Sequence, residues 1–204
     1  MIDGSTLVTI PRILSATRRN EETRDLYFAY GANMNLQQIR SRCNSPVAVS
    51  IARLANHRLG FYGYSGVWDG ALETVEPMVG AEVWGVLFAL SRLDWERLDD
   101  WQGARMDGCG MYFHFPVTVT DQDGRAVSAR MYKKDITGSA QEPSQEYLEH
   151  IVRGASEHGL PPDYIEALMK RKARKASSSV PMWSGFNLAA TAGISCADCP
   201  TDAA

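Results

Sequence analysis

The chain has 204 residues and a mass of 22.5 kDa, with 45% hydrophobic and 22% charged residues. This composition is typical of a globular domain and excludes a disordered or low-complexity chain. The formal net charge is only −3, so neither nucleic acid nor an anionic membrane is an expected partner. No stretch is apolar enough to span a bilayer, and the first residues do not resemble a secretory signal. Four cysteines fit a reducing compartment, and we expect a cytoplasmic protein.

The sequence predicts one folded domain, residues 24–176, between an N-terminal extension, residues 1–23, and a C-terminal tail, residues 177–204. We expect the extension and the tail to be flexible, because chain ends rich in polar or small residues often are. The tail contains Cys196 and Cys199, but a structural zinc site needs further ligands nearby. We therefore predict no metal site and no cofactor.

In chain order, the first predicted elements are a strand, a tight turn and a helix. Residues 26–30 form a short apolar strand that ends at Gly31, and residues 35–42 favour a helix. A second buried strand is predicted at residues 82–90. Ser91 and Asp94 resemble a capping box that starts the next helix, and Gly103 marks its end.

The second half of the chain predicts a hairpin followed by two helices. Apolar and polar residues alternate over residues 111–120, which predicts the first strand. Residues 121–124 form the turn, and residues 126–132 form the returning strand. Helices are predicted at residues 144–158 and 161–175. The second helix would end in a basic run, which we interpret as cations placed favourably at a helix C-terminus. Strands mostly precede the late helices, which indicates an α+β fold.

The turn after the first strand is the first candidate site. It consists of Tyr30, Gly31, Ala32, Asn33 and Met34. Glycine permits close approach of the backbone, and successive amides at the start of a helix can bind a carboxylate. From spacing alone, an ordinary tight turn is the more common explanation of the pattern.

At this turn the sequence resembles the γ-glutamylcyclotransferase family. The segment Phe28–Met34 reads FAYGANM, close to the family's FAYGSNM. Agreement continues in order through residues 25–170, at Val47–Leu59, Trp68–Val75, Val83–Val86, Leu98–Gly103, Gly110–Tyr112 and Gly159–Tyr164. The resemblance implies a small mixed β-barrel with helices packed around it.

The resemblance also implies an enzyme that cleaves a γ-glutamyl amide. The substrate's own α-amine attacks the γ-carbonyl, which releases 5-oxoproline and a free amine without a metal or cofactor. In the family one glutamate moves the proton, and amides of the turn hold the glutamyl end. Tyr112 and Tyr147 align with tyrosines near the family site, although half-buried packing would explain both equally well.

The family's catalytic glutamate falls on Gln102. An amide cannot move a proton, and losing acid–base catalysis typically costs about 10²–10⁴ in rate. Three interpretations are open. The chain could be an enzyme inactivated by a Glu-to-Gln exchange. It could be a diverged enzyme that uses another acid for this or another amide or ring-forming reaction in specialised metabolism. Glu73 is the leading candidate for that acid, because it occupies a position where members of the family usually have a small residue. The chain could also be a non-catalytic protein that binds an amino-acid ligand.

Four aromatic residues lie close together before the Trp68–Val75 segment: Phe61, Tyr62, Tyr64 and Trp68. We predict that they line the side of the leaving amine and favour a bulky or aromatic amine. Packing over the mouth of the barrel is the alternative. The expected partner is a small-molecule γ-glutamyl substrate. The sequence does not identify the amine, and it is compatible with a homodimer.

Overall fold

A computed structural model describes residues 24–105, 110–136 and 138–181. Within these ranges five strands form a closed barrel in the order β1-β3-β2-β4-β5. The strands are β1 (Asp25–Ala29), β2 (Val47–Ser65), β3 (Gly70–Leu90), β4 (Tyr112–Asp121) and β5 (Ala126–Lys134). Neighbouring strands are antiparallel except β1 and β5, which pair in parallel and close the barrel. The mixed barrel confirms the predicted α+β fold.

Helices pack around the barrel. The described residues include α1 (Leu36–Arg42), α2 (Arg92–Gln102), α3 (Gln145–Glu157) and α4 (Pro162–Met169), with a 3-10 turn at Ala32–Met34 between β1 and α1. None of the helices in these residues is both long and apolar enough to cross a membrane. Likewise, the described part of the chain contains no group of three or more His, Cys, Asp or Glu side chains placed to hold a metal ion.

The strand β3 is buried along its first six residues, on both faces of the sheet. Residues 70–75 are all buried, and the strand continues without a break to Leu90. It is therefore longer than the predicted strand at residues 82–90. Its long antiparallel pairing with β2 brings Glu73 opposite Phe61. A charged side chain is thereby carried into the interior, where its polar atoms need partners.

The ends of α2 are as predicted. Ser91 and Asp94 form both hydrogen bonds of a capping box, and the helix ends at Gly103 in the left-handed conformation. Leu98 and Trp95 face the core at 0% and 5% exposure. These contacts fix the helix against the barrel and set the position of Gln102 in its last turn.

The predicted end of the last helix is wrong. Helix α4 ends at Met169 instead of residue 175, with Lys170 as its C-cap, so the rest of the basic run lies beyond the helix and not in its last turns. The backbone N–H of Arg174 instead donates to the carbonyl of Pro143 at 3.1 Å. Ion pairs join Lys172 to Glu142 and Arg174 to Asp69. Tertiary contacts thus draw this segment away from the helical path.

The start of the predicted tail packs against the barrel. The backbone N–H of Ser177 donates to Oδ2 of Asp69 at 2.6 Å, and Val180 is 9% exposed. The predicted extension, residues 1–23, and the remainder of the tail with Cys196 and Cys199 lie outside the described residues. The domain limits therefore stay a prediction.

Candidate active site

Glu73 lies at the centre of the candidate site and is only 6% exposed. Its Oε1 accepts a hydrogen bond from the backbone N–H of Ala32 at 3.3 Å. The Tyr147 hydroxyl donates to Oε2. The Tyr112 hydroxyl donates to the Glu73 carbonyl at 3.2 Å and lies 3.5 Å from Oε2. The structure thus brings together four residues predicted from the sequence, which come from the turn, β3, β4 and α3.

Gly31 allows this close arrangement. A Cβ atom built on Gly31 would overlap the carboxylate of Glu73, so a side chain at this position would displace the acid. The requirement is for space and not for an unusual backbone conformation, since Gly31 has a φ of −130°. The glycine of the family motif therefore has a direct structural reason here, which is contact between the turn and a buried carboxyl group.

Burial raises the pKa of Glu73 above its ordinary value. Hydrogen bonds from Tyr147 and Ala32 and the positive charge of Arg42 act in the opposite direction, but desolvation is the largest effect. Burial also raises the pKa values of Tyr112 and Tyr147 well above 10, so both hydroxyls stay protonated donors. A carboxyl group whose pKa is shifted toward neutrality can both accept and donate a proton.

Gln102 is joined to the turn through Arg42. Nη1 of Arg42 donates to Oε1 of Gln102 at 3.3 Å and to Oδ1 of Asn33 at 2.7 Å. The guanidinium also lies over the ring of Trp101, 5.1 Å from its centroid. The end of α2 therefore meets the turn and the end of α1 in one place, as expected if residue 102 belongs to the site.

The other side chains of the turn hold its shape. The Tyr30 hydroxyl donates to the carbonyl of Tyr132 at 2.6 Å, and the Asn33 amide donates to the Tyr27 hydroxyl at 3.0 Å. Met34 is fully buried in the core. It is thus the backbone of the turn that faces Glu73.

The structure does not bring the four predicted leaving-group aromatics together. Trp68 is buried against Tyr147, with ring centroids 4.6 Å apart, so it adjoins the site. Phe61 instead borders a separate groove and packs beneath a guanidinium. Tyr62 is buried, and a hydrogen bond with the carboxylate of Glu76 raises the pKa of its hydroxyl group. Tyr64 is 60% exposed and donates to Asp69.

Two residues near the site were not predicted from the sequence. Arg42 ends α1, where a cation has the ordinary explanation of a favourable helix terminus. His150 lies on α3, is 7% exposed, and has its ring centroid 5.2 Å from that of Trp68. Burial, together with the charge of Arg42, lowers the pKa of His150 to about 4, so its imidazole is neutral near pH 7. No spacing in the sequence signals either neighbour, since both depend on contacts between distant elements.

Together, the fold and the site describe a closed barrel in which a buried, titratable carboxyl group lies against a backbone N–H group of the turn. Comparison with known proteins agrees. The AIG2-like family matches residues 82–168. The γ-glutamylcyclotransferase of Bos taurus is 36% identical over 147 residues, which are 70% of this chain and 76% of the bovine protein. For the γ-glutamylcyclotransferase of Homo sapiens the identity is 35% over 152 residues, 72% of this chain and 79% of the human protein.

A solved structure is similar as well. A γ-glutamyl cyclotransferase superposes with a TM-score of 0.72 at 32% identity, covering 78% of this chain and 94% of the other. The chain therefore belongs to the γ-glutamylcyclotransferase family, a family of enzymes. The small mixed barrel implied by the sequence resemblance is confirmed.

Proposed function

We propose that this protein converts a γ-glutamyl amide into 5-oxoproline and a free amine, with Glu73 moving the proton. The main support is the position of Glu73, whose buried carboxyl group lies against the Gly31–Ala32 backbone with a raised pKa. Membership of the family supports the reaction type. The amide at position 102 supports a change in the proton-transfer residue, because it cannot ionise.

In the proposed reaction, the Glu73 carboxylate takes a proton from the substrate's α-ammonium group. The freed amine attacks the γ-carbonyl carbon and closes a five-membered ring, which forms a C–N bond and a tetrahedral oxyanion. Backbone N–H groups of the turn are the donors available to stabilise that oxyanion. Protonated Glu73 then gives its proton to the leaving nitrogen as the oxyanion collapses and the original C–N bond breaks. The ring nitrogen keeps one of the two hydrogens that it held after the attack and loses the other as a proton, which the released amine takes up to become an ammonium ion. The carboxylate is regenerated, and no other reactant is consumed.

The two tyrosine hydroxyls would hold the carboxyl group in place during both proton transfers. Tyr147 donates to Oε2, while Ala32 donates to Oε1. Fixed partners reduce the motion needed to reach the reacting geometry. Because both tyrosine pKa values are raised, the hydroxyls do not compete for the proton near neutral pH.

The test is release of 5-oxoproline and amine from γ-glutamyl amides by the native chain and Glu73→Gln. We expect equal amounts of both products from the native chain and a loss of about 10²–10⁴ in kcat in the variant. Glu82→Gln is the matched control, because Glu82 lies on the same strand but is exposed and pairs with Arg53. Absence of turnover for every γ-glutamyl amide would reject the activity. A fully active Glu73→Gln would reject the assigned role.

A further inference from the structure

We propose that Arg42 binds the α-carboxylate of the γ-glutamyl substrate. This inference rests on the proposed function and specifies which end of the substrate the guanidinium recognises. Arg42 is half-buried at the end of α1. It therefore offers a positive charge inside the site, next to both the turn and residue 102.

The partners of Arg42 are neutral. Its Nη1 donates to the side-chain oxygens of Asn33 and Gln102. In the part of the chain that the structure describes, no carboxylate oxygen lies within 4.0 Å of its nitrogens, and Nη1 is its only nitrogen that makes a hydrogen bond. A partly desolvated guanidinium gains most from a carboxylate, which can accept two parallel hydrogen bonds from its planar N–H groups.

The side chains around Arg42 fix its direction. Trp101 lies beneath the guanidinium plane, and Asn33 and Gln102 hold one nitrogen. Restricting a long side chain in advance lowers the entropy lost when a ligand binds. Among the residues that the structure describes, these three neighbours leave the remaining N–H groups of Arg42 available to an external acceptor.

The chemistry of the substrate identifies that acceptor. A γ-glutamyl group has its α-carboxylate on the carbon that also bears the attacking amine. The turn joins Arg42 to the proton-transfer carboxyl group, because Asn33 accepts a hydrogen bond from Arg42 and the preceding residue, Ala32, donates one to Glu73. Holding the carboxylate at Arg42 would therefore keep the adjacent amine close to the turn against which Glu73 lies. The product 5-oxoproline retains the carboxylate and should be recognised in the same way.

Binding measurements test the inference without requiring turnover. Calorimetry would compare 5-oxoproline with 5-oxoprolinamide, which replaces the carboxylate by a neutral amide. We expect the native chain to prefer the carboxylate by about 10- to 100-fold, the usual range for charged hydrogen bonds. Arg42→Met should remove this preference, and Arg42→Lys should retain part of it. Arg40→Met is the control, since Arg40 is exposed on the same helix.

Position 102 provides a second test. In Gln102→Glu a carboxylate would replace the amide oxygen that now accepts from Arg42, and it would compete with the ligand for the guanidinium. We expect about 10-fold weaker binding of 5-oxoproline, with little change for 5-oxoprolinamide.

Three results would overturn the inference: equal affinity of the native chain for both ligands, no binding of either, or an unchanged preference in folded Arg42→Met. Circular dichroism would establish that each variant is folded. Selective binding that depends on Arg42, found without any release of 5-oxoproline from γ-glutamyl amides, would instead reject the proposed reaction and leave the carboxylate site standing.

Discussion

At the residue scale, opposing effects set the charge of Glu73. Burial favours the protonated acid, whereas the Tyr147 hydroxyl, the Ala32 amide and the charge of Arg42 favour the carboxylate. Burial is the larger effect and raises the pKa. Each hydrogen-bond donor nevertheless stabilises the carboxylate and so limits the rise in pKa. Removing a donor should therefore raise the pKa of Glu73 further.

Tyr147→Phe should move the pH dependence of the reaction upward. The base must be ionised to accept a proton, so kcat/KM rises with pH through the pKa of Glu73. Without the Tyr147 hydroxyl the carboxylate loses a donor, and the rising limb should shift to higher pH. The measurement is kcat/KM from pH 4 to 9 for the native chain and the variant. Tyr64→Phe should leave the limb in place, because Tyr64 donates to Asp69 outside the site. An unmoved limb in Tyr147→Phe would contradict the role given to this hydroxyl.

At the element scale, close packing of α3 against the turn allows Tyr147 to reach Glu73. Gly154 lies where α3 meets the segment after Met34, and a Cβ atom there would overlap the backbone of Asn35. The Glu157 carboxylate at the end of α3 accepts a hydrogen bond from the backbone N–H of Leu36 at 2.7 Å. Helix and turn are thus positioned together.

Gly154→Ala should separate α3 from the turn. Overpacking at such a contact costs about 1–3 kcal/mol in the free energy of unfolding. The displacement should also lower kcat, because Tyr147 would be withdrawn from Glu73. Chemical denaturation and 5-oxoproline release would measure the two effects. Ser156→Ala, on the exposed face of the same helix, should change neither by a comparable amount. Native stability and native activity in Gly154→Ala would show that the contact is dispensable.

Local sequence patterns predicted the elements that are set by nearby residues better than the element ends that are set by tertiary contacts. Apolar runs and caps were sufficient for β1 and α2, because those signals act within a few residues. The end of α4 was not predicted, because Arg174 pairs with residues more than 30 positions away in the chain. Closure of the barrel followed from the resemblance and not from any one pattern.

The candidate site shows the same division. The Gly31 turn and position 102 were found through motifs, and Glu73 through its departure from the family pattern. The positions of Arg42 and His150 depend on how α1, α2 and α3 meet around the turn. The close spacing of the aromatics from Phe61 to Trp68 suggested that they line one side of the site. In the structure Phe61 borders a separate groove, Tyr64 contacts Asp69 and Trp68 packs against Tyr147.

At the scale of the whole molecule, buried titratable groups couple the folded state to pH. His150 has a pKa of about 4 in the folded chain, against an ordinary value of 6.5. A histidine with a depressed folded pKa binds a proton more readily when unfolded. Above pH 6.5 the imidazole is neutral in both states, so its depressed pKa does not reduce the free energy of unfolding. As the pH falls toward 4, protonation of the unfolded chain lowers the free energy of unfolding. Glu73 has the opposite effect. Because its pKa is raised in the folded chain, its burial lowers the free energy of unfolding as the pH rises.

Replacement of His150 should reduce the acid sensitivity of the fold. The difference in free energy of unfolding between native chain and His150→Gln should change by up to about 3 kcal/mol between pH 7 and pH 4, with the native chain losing more. Comparison of two proteins isolates His150, because Glu73 is present in both. Denaturation at several pH values measures the difference, and His57→Gln on β2 is the control. A difference independent of pH would contradict the neutral, buried imidazole.

The identity of the proton-transfer residue is tested most directly by kcat for 5-oxoproline release in Gln102→Glu, measured at saturating substrate beside the native chain and Glu73→Gln. If Glu73 moves the proton, the new carboxylate at position 102 leaves kcat close to native, whereas Glu73→Gln lowers it by about 10²–10⁴. A rise of orders of magnitude in Gln102→Glu, together with little loss in Glu73→Gln, would assign the proton transfer to position 102 and contradict the role of Glu73.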